Sequence, residues 1–303
     1  MLYNLDFLIL QDFLINREIE FYENYDISKI SPIKIGANAR FLIYPHNENE
    51  LVSIVDFLLQ NNIRYIVAGK MSNILMTDSS FLGAVIRCNK LDKISITAGF
   101  LTVECGFSLH SNLHLLASLQ IGGLEPIIGI PGCIGGMISM NAGAYGMEIA
   151  DILHSVKVYD PFKREILKLG PSELDFGYRS SKLKKEKLIV LEATFSYVAS
   201  NRSIILRKAG YYSALRKEKQ PIEFPNLGSV FKRPNNGYAG ELIEKAGLKG
   251  YRVGGAQVSE KHAGFIVNTG NATSQDVTIL ISIIRQKIKE KFGIDLQIEI
   301  EII

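Results

Sequence analysis

Two small-residue loops follow apolar, β-branched runs in a way that would let a ligand lie against the backbone. The first is AGKMSN (Ala68 to Asn73), after RYIV, and the second is GIPGCIGGMISMNAGAYG (Gly129 to Gly146). Small residues let backbone N–H groups approach a ligand closely, and a run of such donors forms a concavity suited to phosphates. The second loop is uncharged and suits a large flat ring; taken alone, each loop is more often an ordinary turn than a cofactor cradle. Three polar positions stand out elsewhere: Arg179 after Phe176-Gly177-Tyr178, Ser229 in LGSVFK, and Glu299 on the polar face of LQIEIEI. Their plain readings are an exposed arginine before the solvated run Lys182 to Lys187, a turn serine and a solvent-facing glutamate. Residue type alone does not rank the three above their neighbours.

Absent motifs remove common answers. There is no G-x-x-x-x-G-K, G-x-G-x-x-G, H-E-x-x-H or G-x-S-x-G, so P-loop, Rossmann, zincin and α/β-hydrolase readings lose their sequence support. Cys88, Cys105 and Cys133 are far apart, with no C-x-x-C pair, which predicts no disulfide framework and no metal site. The chain has 303 residues, 34 basic against 31 acidic, and a net charge of +3. That balance does not call for a nucleic-acid or membrane-surface partner. The N-terminal stretch has Asp6 and no basic residue before Arg17, the reverse of a secretory signal, so a cytoplasmic protein is expected.

The elements that must position these residues alternate in type. Asn47 to Asn61 opens with Asn47 and Glu50 in capping-box register and puts Leu51, Ile54, Val55 and Leu58 on one helical face. RYIVA and AVIRC read as strands, ISITAGFLTVECG as a hairpin turning at Ala98 and Gly99, and Ser108 to Gln120 as a helix. SVKVYD, EILKL and LIVLEATFSYV read as strands. A Pro-, Gly-, Asn- and Lys-rich composition predicts a long loop or domain junction near residues 200 to 237. Helices follow around Gly240 to Ala246 and over Ser274 to Phe292, the latter stopped by Gly293. In the closing strand Leu296, Ile298, Ile300 and Ile302 point one way and Gln297, Glu299 and Glu301 the other. Pro126 to Met147 is uncharged and long enough to span a bilayer. Its two prolines and six glycines argue against a membrane helix, at about 1 kcal/mol per glycine and about 3 per proline.

The segments GIPGCIGGMISMNAGAYGMEIAD, FGYRSS, PNLGSVFKRP, AGELIEKAGLKGYRVGGAQVSEKHAGFIVN and FGIDLQIEIEI resemble the UDP-N-acetylenolpyruvoylglucosamine reductase (MurB) family. They occur in the family's order and cover most of the chain from about residue 30 onward. The resemblance implies an α/β (α+β) architecture: a vanillyl-alcohol-oxidase-type FAD-binding fold of two lobes, residues 1–88 and 89–204, plus a C-terminal substrate-binding α+β lobe, residues 205–303. The last strand would return to the first lobe. It implies an oxidoreductase of peptidoglycan synthesis that reduces UDP-N-acetylglucosamine enolpyruvate to UDP-N-acetylmuramate with non-covalent FAD and NADPH.

Site residues follow from the same resemblance. Gly69, Ser72 and Asn73 match the pyrophosphate loop, and Ile130, Pro131, Gly132, Gly136, Asn141, Ala142 and Gly143 match the flavin-lining stretch. Hydride from flavin N5 would reach the terminal carbon of the enolpyruvyl group, leaving negative charge on the adjacent carbon and its carboxylate. Arg179 would hold that carboxylate end, Ser229 would deliver the proton, and Glu299 would be the catalytic carboxylate beside them. Lys219, Lys232, Arg233 and His262 would line the substrate's site. No metal is implied. Three departures touch these motifs: Met71 stands where the family usually has glycine, Cys133 where it has threonine or serine, and Ile298 where it has proline. A register slip of two would give the role of Glu299 to Glu301. The length matches the family's shorter class, which lacks a tyrosine-bearing loop over the substrate. The alternative readings are an alcohol- or sugar-oxidising flavoenzyme, a flavin protein without turnover, and a membrane-associated protein.

Overall fold

The computed structural model describes residues 2–97, 99–235 and 237–303. Hydrophobic burial divides between two separate cores, matching two compact units of the chain.

The first unit comprises Met1–Tyr25, Arg40–Lys70 and Leu82–Ser213. One of its sheets has the strand order Glu20–Asp26, Asn38–Tyr44, Phe81–Arg87, Tyr65–Ala68. The last two strands are parallel, with Ala68 opposite Arg87. The helix Glu48–Gln60 forms as its sequence predicts: the Asn47 side chain accepts the Glu50 N–H, and Leu51, Ile54, Val55 and Leu58 are buried. Each of those four side chains contributes about 1.5–3 kcal/mol through burial. The second sheet is antiparallel, ordered Glu165–Leu169, Leu153–Asp160, Ile189–Ser196, Phe100–Glu104, Ile94–Thr97. Its last two strands are the expected hairpin; Ala98 lies outside the described residues.

The uncharged stretch is broken into pieces, as its glycines and prolines require. It holds two short helices, Glu125–Ile128 and Ile134–Ser139, then the strand pair Gly143–Ala144 and Met147–Glu148. Among the described residues no helix is long and apolar enough to cross a membrane.

The second unit comprises Asp26–Ala39, Met71–Phe81 and Ala214–Ile303. Its antiparallel sheet is ordered Asn226–Ser229, Phe265–Asn268, Ala256–Val258, Arg252–Val253. The helix Ser274–Phe292 buries Val277, Leu280, Ile281, Ile284 and Ile288, and Gly293 ends it at φ +70°, a left-handed conformation that glycine adopts without a Cβ penalty. The closing strand, Glu301–Ile302, runs parallel to Ile74–Leu75.

Three expectations need correction. The stretch from 200 to 237 contains the expected junction, the chain passing from one unit to the other between Ser213 and Ala214, but it is not one long loop, because Arg202–Lys219 forms a helix. This helix buries only Ile205 and Ala209, so the apolar stripe that marks a helix in sequence is almost missing. The helix expected over Ser108 to Gln120 is confined to Leu113–Ser118; in the preceding turn the Ser108 carbonyl accepts the Asn112 N–H and side-chain amide. At the C-terminus Leu296 and Ile300 are buried, but Ile302 is 41% exposed. Its strand pairs only with the two residues Ile74–Leu75, so the alternation runs past the core.

Candidate active site

The first loop is shaped by contact at its start and backbone conformation at its centre. A Cβ on Gly69 would lie 2.8 Å from Cys133 Cβ and 3.0 Å from its Sγ, so only glycine allows this approach. Burial pushes the Cys133 thiol up to about 11, which keeps it protonated and supplies no hydroxyl donor. Met71 is 2% exposed and has φ +57°. The backbone therefore has the left-handed conformation that glycine favours, and methionine bears a cost of about 1–2 kcal/mol there. Ser72 and Asn73 are half-buried.

Within the first unit, Arg179 is tied to the second loop. Gly177 and Ser180 exchange backbone hydrogen bonds of 3.0 and 3.2 Å, closing a tight turn in which Arg179 has φ +53°. Its Nη1 donates to the Asn141 carbonyl at 3.4 Å and its Nη2 to the Gly143 carbonyl at 3.2 Å. Asn141 locks the arrangement from inside: Nδ2 donates to Glu148 Oε2 at 2.8 Å and the Gly177 carbonyl at 3.2 Å, while Oδ1 accepts the Ala150 N–H. Its side-chain polar groups are thus committed to the protein. A Cβ on Gly143 would meet the Met147 carbonyl at 2.7 Å, which explains glycine there.

The second unit brings Ser229 and Glu299 onto neighbouring stretches. Ser229 ends the strand Asn226–Ser229 opposite Phe265, with Gly228 before it at φ +78°. Next to it the Glu299 N–H donates to the Val230 carbonyl at 2.8 Å, and the Lys232 N–H to the Gln297 carbonyl at 2.9 Å. Phe231 and Ile298 are the facing pair. The two bonds use Gln297 and Glu299, not the Ile298 N–H, so isoleucine in place of proline leaves this crossing unchanged. The Asn73 amide donates to the Glu299 carbonyl at 3.2 Å, and the Glu301 N–H donates to the Asn73 carbonyl at 2.9 Å. Both glutamates thus reach Asn73, but Glu299 also bonds to Val230, whereas Glu301 continues into the pairing with Ile74.

Residues 39–168 match the model of an FAD binding domain, and residues 220–303 match that of the C-terminal domain of UDP-N-acetylenolpyruvoylglucosamine reductase. A UDP-N-acetylenolpyruvoylglucosamine reductase of Caldicellulosiruptor bescii is 42% identical over 96% of this chain and 93% of its own length. The chain belongs to the UDP-N-acetylenolpyruvoylglucosamine reductase (MurB) family. A reductase of that name from Streptococcus pneumoniae is 40% identical over 94% of this chain and 96% of its own length. The crystal structure of MurB from Thermus caldophilus superposes with a TM-score of 0.77 at 30% identity, covering 94% of this chain and 98% of that one. The expected architecture, a two-lobe FAD-binding fold with a C-terminal α+β lobe, is the one the chain adopts.

FAD is the cofactor of this MurB family member, and the residues present fit it. The matched stretch contains both loops. In the second loop Pro131 and Gly136 are exposed, and a Cβ on Gly136 would meet nothing within 4 Å. Open space beside uncharged backbone is what a flat ring requires. Ile130, Ala142 and Gly143 are half-buried and Gly132 is buried.

The other residues expected at the substrate's site differ in surroundings. Lys219 is exposed at the end of its helix. Lys232 is half-buried beside the crossing, and the Arg233 guanidinium sits 4.5 Å from the Tyr238 ring centroid. His262 is bound into a turn: its Nδ1 accepts the Gly264 N–H at 3.1 Å, and a Cβ on Gly240 would come 3.0 Å from its Cε1. Burial holds its pKa below the ordinary imidazole value, with Lys249 acting the same way and Glu244 opposing it. Its acceptor role at Nδ1 requires a neutral ring with the proton on Nε2. As pH falls, an unfolded chain takes up a second ring proton near pH 6.5, before the folded chain protonates Nδ1. The stability His262 provides is thus present above about pH 6.5 and lost as pH falls through its lower folded value. Thermal melting across that window is expected to show a smaller acid loss in His262→Gln than in the wild type.

Lys70 lies inside AGKMSN, where its residue type alone does not mark it. Its Nζ donates to Ser108 Oγ at 2.8 Å and Ser111 Oγ at 2.7 Å. The signal is a cation within a loop already suited to phosphate.

Proposed function

We propose that the chain reduces UDP-N-acetylglucosamine enolpyruvate to UDP-N-acetylmuramate, with NADPH as electron donor, in peptidoglycan synthesis. Beyond family membership, the observation that carries the residue assignment is the crossing that fixes Glu299 to Val230, the neighbour of Ser229. Bound FAD supplies the hydride. Arg179 pairs with the substrate carboxylate through two forked donors that now rest on the Asn141 and Gly143 carbonyls. Its charge offsets the negative charge that develops on the enolpyruvyl group as the double bond is reduced. Ser229 gives its hydroxyl proton to the carbon next to the carboxylate, completing addition of one hydride and one proton. Glu299 returns a proton to Ser229 for the next turnover. Lys219, Lys232 and Arg233 supply positive charge for the substrate's diphosphate, and the His262 Nε2–H supplies a neutral donor.

A cytoplasmic location agrees with this reading, because NADPH and a nucleotide sugar are available there and the three cysteines are unpaired. NADPH oxidation followed by absorbance, with and without UDP-N-acetylglucosamine enolpyruvate, tests the activity. Substrate-dependent oxidation yielding the lactyl ether is expected. Equal oxidation in the absence of the enolpyruvyl substrate, with no lactyl product, would sink the assignment.

A further inference from the structure

Most partly buried cations in the FAD-binding stretch already have an acidic partner. Arg40 pairs with Glu23 at 3.3 Å, Lys157 with Glu48 at 2.7 Å, and Lys90 with Glu20. Lys93, Lys163, Arg164 and Lys168 are exposed. Lys70 and Arg87 differ. Both are half-buried, and among the described residues neither forms an ion pair with a carboxylate. Two of the three Lys70 donors go to neutral hydroxyls, with Ser108 itself only 4% exposed. Among the described residues the Arg87 guanidinium reaches the Tyr44 hydroxyl, at 3.5 Å, and its Nε is buried with no hydrogen-bond partner.

The fold sets these two cations next to each other. Tyr65–Ala68 and Phe81–Arg87 are adjacent parallel strands, with Ala68 opposite Arg87. Lys70 is two residues beyond Ala68. Both cations therefore stand at the carboxyl end of the parallel pair, where open α/β sheets bind ligands. Burial dominates the environment of the Cys133 thiol, but the charges of Lys70 and Arg87 both oppose it, which places them around the same point. Holding two partly desolvated cations without a counter-charge is costly unless an anion completes the site.

We propose that Lys70 and Arg87 form a two-cation clamp for the diphosphate of FAD. The clamp rests on the FAD assignment and adds to it a charge-specific anchor outside the glycine and small-residue positions of the loops. FAD brings two negative charges on adjacent phosphates. Lys70, steadied by Ser108 and Ser111, keeps one ammonium donor for them, and Arg87 offers Nε with its remaining guanidinium donors. An ammonium acts as a point charge, while a guanidinium can bind phosphate oxygens through parallel donors.

The test is flavin binding rather than turnover. The full chain, reversibly freed of flavin, is titrated with FAD and separately with riboflavin, which has no phosphate, at several salt concentrations. Lys70→Met is expected to weaken FAD binding by roughly tenfold to a hundredfold, to flatten its salt dependence and to leave riboflavin binding unchanged. Lys70→Arg should restore most of the affinity. Arg87→Met should act in the same direction, with melting of the flavin-free protein as a control for folding. An unchanged FAD dissociation constant and salt slope in Lys70→Met overturns the clamp, as does equal weakening of riboflavin. Failure of the wild-type chain to bind FAD is a separate result and would remove the FAD assignment itself.

Discussion

Ser229→Ala is expected to lower product formation by roughly 10²- to 10⁴-fold, the usual worth of a positioned general acid. NADPH should still bleach the bound flavin at near the wild-type rate, because that half-reaction requires no proton on the substrate carbon. The substitution is also expected to leave the fold intact. Ser229 pairs with Phe265 through backbone, and the adjoining Val230 bonds to the Gly264 carbonyl and the Glu299 N–H through main-chain atoms alone. Alanine keeps all of these. Rapid mixing can separate the half-reactions, following flavin colour first with NADPH and then with enolpyruvyl substrate. Near wild-type reoxidation by substrate in Ser229→Ala would remove the hydroxyl from the proton path.

Glu299→Gln is expected to slow turnover by at least about 10²-fold, whereas Glu301→Gln should cost far less, because the bond of Glu301 to the Asn73 carbonyl is made by its backbone N–H and survives the change. The two glutamates have the same parity in the closing segment, so the difference depends on their neighbours. Both glutamates bond to Asn73, but Glu299 also bonds to Val230, next to Ser229, while Glu301 pairs with Ile74. Glutamine retains shape and hydrogen bonding but cannot resupply a proton. Steady-state kinetics of both variants decides the matter: equal losses would refute the register, and a larger loss in Glu301→Gln would transfer the role to that residue.

Local structure was legible where one pattern had one physical solution. Asn47 with Glu50 marked a helix start, and the stripe Leu51, Ile54, Val55 and Leu58 became its buried face. Gly293 ended the last helix in the left-handed conformation expected of it. The glycines and prolines of the uncharged stretch predicted a broken backbone, which is what the short helices and strand pair show. The helix Arg202–Lys219 was illegible for the opposite reason, since it buries too few side chains to leave a period. Family motifs identified the candidate site residues, but they gave no reason to notice Lys70 or Arg87.

By itself, then, the sequence determined the class of fold, the family, the two backbone-lined loops and the residue types available for carboxylate binding and proton transfer. The elements and loops rest on short-range order, periods of two or 3.6 residues, caps and turn residues at fixed offsets; the family and the roles of its residues rest on the resemblance of the ordered motifs. Only the tertiary structure decided which glutamate meets the strand of Ser229, because alternation gives Glu299 and Glu301 the same parity. The choice comes from the hydrogen bonds of Val230 and Lys232 to Glu299 and Gln297, partners far apart along the chain. The pairing of Ala68 with Arg87 has the same origin. Such contacts form only when distant segments are brought together, and their energy leaves no periodic trace in either segment alone.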